Sequence, residues 1–412
     1  MELIGEEEKR EILDVLEGGY LFRYGVNIGE GADPRFKAKV YEAERMLAER
    51  SGVRFAVATN SGTTALLTAM AGLGIGPGDE VIVPGYTFVS SISAIVYAQA
   101  VPILGEIDKT FNLDPVDVEA KITPRTKAIL VVHMTGVPAR LNELRTIADR
   151  HGLFLIEDCA QACGASYYGK GVGSIGHAGC FSFNVYKTIT AGEGGMVITD
   201  YEDTYKRCFS YHDQGHAPLR QGVEFGKRPF IGLNFRMTEL QGAVLIAQIR
   251  KLPQIKSRLC TNKQRFKEHI AGLPGIEFRE IVDPEGDLGT MLTIIFPDAQ
   301  IASQVAEDLD TAVVADAGWH VYNNMEQILE QRTVTQIKYP FTAPAYTERG
   351  GEARYSKGML PKTDALLARS MNIAIGVSDR GLSSGFGLTF HDTADQIDQK
   401  ASRFHRVAQK YL

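Results

Sequence analysis

Between Arg54 and Glu157 short apolar runs alternate with helix-patterned segments, and this alternation constrains the fold more than any other property of the chain. The spacing predicts strands over 54–58, 80–84, 101–104, 128–133 and 154–157. Between them it predicts helices over 63–73, 89–98, 115–121 and 141–151. Val81-Ile82-Val83, Ile129-Leu130-Val131-Val132 and Phe154-Leu155-Ile156 are unbroken apolar runs, as expected of strands covered on both faces. The expected fold class is α/β, a mostly parallel central sheet with helices on both sides.

Outside this region the pattern changes. A short helix is expected over 6–16, a Gly-rich irregular stretch over 18–34, and an amphipathic helix over 35–50 carrying Val40, Ala43, Met46 and Leu47. Strands over 181–183 and 195–199 flank the segment 184–194. Residues 238–272 are strongly helical, with a break expected at Pro253. From Pro274 on, a strand over 291–296 and helices over 301–309 and 395–411 suggest a smaller α+β domain. The expected division is a large domain with an N-terminal arm over 1–250 and a small C-terminal domain over 251–412; the 412 residues suffice for both at ~150 residues per domain.

The net charge of −6 and the lack of any Lys/Arg run argue against a nucleic-acid binder. Five cysteines in so long a chain make no disulfide framework, and Cys159 and Cys163 have no second Cys/His pair at zinc spacing. They read as reduced thiols. Residues 1–16 lack the apolar stretch of a signal peptide, and no apolar run reaches the ~18 residues of a membrane span. A cytoplasmic location is expected.

Four features carry chemistry. Asn60-Ser61-Gly62-Thr63-Thr64 lies between a strand and a helix, where backbone N–H groups favour a phosphate and Gly62 permits close approach; a plain Ser61 N-cap is the competing reading. Phe88 follows a strand and can stack on a flat ring or simply fill the core. Asp158 ends an apolar strand at the carboxyl edge of the sheet, where a carboxylate can hold a pyridine nitrogen protonated or merely cap a helix. Lys187 lies just past a buried strand, next to the turn Ala191-Gly192-Glu193-Gly194-Gly195, where burial would favour the free amine that forms an imine. Ser182 precedes it with a hydroxyl suited to a phosphate.

In this order the stretches NSGTTAL, GDEVIVPGYTFVSS, IEDCAQACGA, FSFNVYKTITAGEGGM and NFRMTELQGA resemble the DegT/DnrJ/StrS family of sugar aminotransferases, of the fold-type I pyridoxal 5′-phosphate (PLP) architecture. The resemblance spans 36–252 well and the C-terminal third weakly. It implies PLP as cofactor, Lys187 as the Schiff-base lysine and proton carrier, and Asp158 as partner of the ring nitrogen. It further implies Gln161 on the phenolic oxygen, Gly62, Thr63 and Ser182 as the phosphate cradle, and Phe88 as the stacking ring, with Tyr86 close enough to compete. Asn234 would reach the phosphate of a neighbouring subunit, making a homodimer with shared sites. The implied reaction is ping-pong, from glutamate or glutamine to a keto or aldehyde sugar, as in lipopolysaccharide or antibiotic biosynthesis.

The segments 187–195 and 210–216 resemble the branch that aminates C8 of an oxidised octulosonate; they are also similar to the cyclitol (scyllo-inosose type) aminotransferases. A nucleotide-linked keto sugar is the other acceptor class. His212 and His216, with Asp213, lack a third ligand at fixed spacing, so no metal is expected; they read as part of a loop covering the site. Arg220, Lys227 and Arg228 on the same stretch suit an anion or a solvated loop. Trp319-His320-Val321-Tyr322 reads as packing in the small domain ahead of a substrate wall. Two rivals remain. One is a sugar dehydratase, in which the family places a histidine where Lys187 stands. The other is a non-catalytic sugar-binding regulatory protein.

Overall fold

The computed structural model describes residues 3–24, 33–218, 228–376 and 380–412. The alternating region supplies β1 (Phe55–Thr59), β2 (Glu80–Pro84), β3 (Val101–Gly105), β4 (Thr126–Val132) and β5 (Phe154–Asp158). After a small hairpin, β6 (Ser166–Tyr167) and β7 (Lys170–Gly171), two more strands join the sheet, β8 (Ala178–Ser182) and β9 (Gly195–Thr199). The spatial order is β1-β9-β8-β5-β4-β2-β3. From β3 to β8 every pairing is parallel, and β9 is antiparallel to both its neighbours.

The central strands are apolar throughout because both faces are covered. Val81 and Val83 join a core with Leu66 and Met70 of α3 (Gly62–Leu73) and Ile92 and Ile95 of α4 (Val89–Tyr97). Ile82 between them points the other way, into a core with Val118 of α5 (Pro115–Lys121) and Leu144 and Ile147 of α6 (Leu141–His151).

A 32-residue helix, α8 (Glu239–Ile270), runs on to a second sheet, and here the structure corrects the expected break: the helix passes Pro253 uninterrupted. Proline forfeits one backbone bond at a cost of about 3 kcal/mol. Leu245, Ile249, Leu252, Ile255 and Leu259 are all buried around it. At ~1.5–3 kcal/mol for each such side chain, burial outweighs the lost bond. The second sheet has the order β10 (Glu277–Phe278), β11 (Met291–Ile295), β12 (Ser370–Gly376), β13 (Gly387–Thr389). The C-terminal helix Ala394–Ala408 covers it, with Phe404 in one core with Phe266 and Phe296. No helix among the described residues is long and apolar enough to cross a membrane.

The chain before β1 braces the large sheet. Beyond α1 (Glu6–Gly18), Arg23 is buried and forks onto both carboxylate oxygens of Glu44, each at 2.8 Å, from α2 (Lys39–Ser51). Glu44 also accepts from the backbone N–H of Ala58 at 2.6 Å, tying the pair to β1 just before the Asn60–Gly62 turn. Glu44→Gln strands a buried cation. A loss of about 3–5 kcal/mol in stability is expected, read from the urea midpoint.

His212 ends α7 (Glu202–His212) and is fully buried. Its Nδ1–H donates to Phe209 O at 2.6 Å, since a carbonyl only accepts, and its Nε2 accepts from Tyr24 Oη at 2.9 Å. Burial pushes its pKa down from 6.5 to about 3. The unfolded chain therefore binds a proton below pH 6.5 that the folded chain refuses. The stability this contributes is complete above about 6.5 and drains by up to ~1.4 kcal/mol per pH unit as pH falls toward 3. His212→Phe should flatten the acid limb of a pH–stability profile.

Candidate active site

The carboxyl edge of the parallel strands is where helices begin and side chains emerge. A cavity of about 730 Å³ opens there, lined by Gly62, Thr63, Phe88, Asp158, Gln161, Ser182 and Lys187, all of them expected from the sequence. An open, mainly apolar groove of about 660 Å³ between α5 and α6, lined by Pro115, Val116 and Ile147, gathers no such set.

The turn after β1 enters α3 with Ser61 as its N-cap, the hydroxyl accepting from Thr64 N–H at 3.2 Å. The capping reading and the phosphate reading are thus compatible, because the cap leaves the start of α3 facing the cavity. Gly62 is required sterically: a Cβ there would lie 2.6 Å from Ser182 Cβ. Thr63 Oγ1 donates to Ser90 Oγ at 3.0 Å.

Asp158 is the last residue of β5 and is buried. Its Oδ2 accepts from Ser91 Oγ at 2.8 Å and its Oδ1 from Ala160 N–H at 3.0 Å. Burial holds its pKa above the usual carboxylate value, although these donors and the Lys187 charge pull it down. Ser91 is in turn 2.7 Å from Thr87 Oγ1. Sequence reading missed both hydroxyls, whose only signal was a scatter of small polar residues at the start of an otherwise apolar helix and just before it.

Lys187 follows β8, and its Nζ lies 5.8 Å from the Phe88 ring centroid. Tyr86 is excluded from the stacking role: it is buried away from the cavity, with its hydroxyl accepting from Asn372 Nδ2 at 3.2 Å. Gln161 Oε1 accepts from Thr135 N–H at 2.7 Å. Glu193 and Asn184 also line the cavity, joined at 2.6 Å, and were not singled out from the sequence.

Two expectations need correction. His212 and His216 do not cover the site; both are buried, and neither lines the cavity. Trp319 and His320 do line it, against the packing reading. Two backbone bonds of 2.9 Å, Thr87 N–H to His320 O and Val89 N–H to Trp319 O, strap this late segment beside Phe88, while the Trp319 side chain stays 68% exposed. Asn234 is exposed and outside the cavity, its Oδ1 accepting from Arg236 N–H at 3.4 Å. Arg228 is exposed and also outside it; Arg220 and Lys227 lie outside the described residues.

The sequence profile of the DegT/DnrJ/EryC1/StrS aminotransferase family matches residues 5–378. The chain belongs to this family. It is 44% identical over 216 residues to GDP-perosamine synthase of Caulobacter vibrioides, covering 52% of this chain and 57% of that one. It is 45% identical over 234 residues to L-glutamine:2-deoxy-scyllo-inosose aminotransferase of Streptoalloteichus tenebrarius, covering 55% and 53%. The chain thus spans little more than half the length of these curated relatives. Among solved structures it resembles S. venezuelae DesV in complex with a ketimine intermediate, with a TM-score of 0.74, 28% identity and coverage of 98% and 94%.

The cofactor of this family member is pyridoxal 5′-phosphate, and the residues present fit it. A glycine cradle that a single Cβ would fill, a buried carboxylate, an aromatic face and a lysine line the same cavity.

Proposed function

We propose that the chain is a PLP-dependent aminotransferase that moves an amino group from glutamate or glutamine to the carbonyl of a sugar. One observation carries this: Lys187 Nζ stands over the Phe88 face in the cavity that also holds buried Asp158 and the Gly62–Ser182 cradle. When bound, PLP supplies an electron-poor ring that accepts the electron pair left as a proton leaves the amino-bearing carbon. Gly62 and Thr63 at the start of α3, with the Ser182 hydroxyl, would receive the phosphate. Asp158 would keep the ring nitrogen protonated, and Phe88 would lie against the ring. Gln161 would donate to the phenolic oxygen. Lys187 would bind the cofactor aldehyde covalently and, once released, carry the proton away and return it.

Asn234, exposed in a single chain, would complete the cradle of a second copy, so the working unit is a homodimer. Residues 1–250 form the cofactor domain and 251–412 the small domain in this reading, with the boundary inside α8. The cytoplasm is the proposed location. The first relative's name favours a nucleotide-linked keto sugar as acceptor. A cyclitol ketone is the second reading, supported by 45% identity to the scyllo-inosose enzyme. An octulosonate acceptor rests on the segments 187–195 and 210–216 alone.

The test is an absorption spectrum of the PLP-loaded protein before and after each candidate donor. A visible band that collapses to the near ultraviolet with glutamate or glutamine is expected, and the donor that works is thereby named. A protein that develops no visible band with PLP would overturn the reading in favour of a sugar-binding protein.

A further inference from the structure

Arg279, just past β10, is buried, and its guanidinium meets no carboxylate among the described residues. It donates to Thr110 O at 2.6 Å, to Met134 O at 2.8 Å, to Thr135 Oγ1, and to Asn112 Oδ1 at 3.2 Å. All four acceptors are neutral. A buried cation paired in this way calls for an explanation beyond stability, because a carboxylate partner or an apolar side chain would satisfy the core better.

Two of the acceptors, Met134 O and Thr135 Oγ1, lie on one short segment, and Asn112 Oδ1 also accepts from its Met134 N–H at 3.0 Å. Thr135 holds φ 53° and ψ 33°, left-handed backbone that a β-branched residue adopts only when its surroundings impose it. The surroundings here are specific: Arg279 holds its hydroxyl and the preceding carbonyl, and Thr290 Oγ1 donates to its own carbonyl at 2.8 Å. In this conformation the Thr135 N–H is aimed at Gln161 Oε1. An N–H can only meet the oxygen of a carboxamide, so the amide orientation of Gln161 is settled. Its Nε2 hydrogens remain for the cavity that the side chain lines.

We propose that Arg279 is a positioning residue that, through Thr135, holds the Gln161 carboxamide donor-side toward the cofactor. This rests on the PLP reading above. It gives the small-domain side of the molecule a hand in the electronics of a site built on the large sheet. Without the Arg279 bonds Thr135 relaxes to an ordinary conformation, its N–H swings off Gln161, and the amide rotates. A ring oxygen then loses its donor. That donor draws electron density away from the group holding the titrating proton, so its loss raises the proton affinity there.

The experiment is a pH titration of the visible band of the PLP-loaded protein. Arg279→Met keeps the buried stem and removes the donors. Its midpoint should rise by about one pH unit, the scale of one hydrogen bond. Gln161→Met should shift it equally, and the double variant should shift it no further than either single one. Thr135→Val, which removes only the hydroxyl, should shift it in the same direction, and it carries the test if Arg279→Met does not fold. An unmoved midpoint in a folded Arg279→Met or in Thr135→Val overturns the proposal, as does a double variant whose shift is the sum of the two. A wild-type protein with no visible band overturns the cofactor reading itself, so the two failures are told apart.

Discussion

Lys187→Ala should turn over roughly 10³–10⁴-fold more slowly than the wild type while folding normally, because one side chain is asked both to bind the cofactor and to carry the proton. The lysine follows β8 in an irregular segment, and its Val185 and Tyr186 neighbours are exposed, so no core packing depends on it. The thermal midpoint should stay within a few degrees of wild type. PLP should still bind through the Gly62–Ser182 cradle, but without the visible band. Residual turnover above a hundredth of the wild-type rate would remove Lys187 from its proposed role, and the dehydratase rival would then need testing by product analysis.

Asp158→Asn should separate catalysis from stability. Asparagine can keep the bond from Ala160 N–H on its carbonyl oxygen and donate its Nδ2–H to Ser91 Oγ once that hydroxyl rotates, so the site keeps its shape. It cannot hold a ring nitrogen protonated, and turnover should fall roughly 10²–10³-fold. Stability should move the other way in the cofactor-free protein. The folded pKa of Asp158 is raised, chiefly by burial. A raised carboxyl pKa contributes stability below the unfolded value near 3.8 and loses it as pH rises through the folded value. Above the folded value the ionised aspartate is therefore a cost, which asparagine removes. A variant both slower and no less stable marks a residue kept for chemistry. Unchanged kcat, measured beside the thermal midpoint of the cofactor-free protein, would mean that another group meets the nitrogen.

What was legible in the sequence follows from local physics. Strands buried on both faces must be apolar at every position, so Val81-Ile82-Val83 and Ile129-Leu130-Val131-Val132 declare a covered parallel sheet without any tertiary information. Once the strands are known, Gly62, Phe88, Asp158, Ser182 and Lys187 all lie at or just beyond strand ends, and a parallel sheet brings such ends to one edge. Their assembly in one cavity was therefore implicit in their positions.

Other features were decided by contacts distant in sequence. Pro253 looks like a helix break, and only the burial of Leu252, Ile255 and Leu259 around it keeps α8 whole. His212 reads like a polar loop residue until Tyr24, 188 positions away, fills the place of water at its ring. Trp319 and His320 reach the site because two backbone bonds tie their segment to 87–89, and Tyr86 leaves it because Asn372 holds its hydroxyl elsewhere. Periodicity and motif order along the chain determined the sheet and the residues that meet at its carboxyl edge, because those depend on neighbours in sequence. The tertiary structure decided which aromatic faces the cavity, what holds Asp158 and how Gln161 is turned, because each of these depends on a hydrogen bond whose partner no local pattern can name.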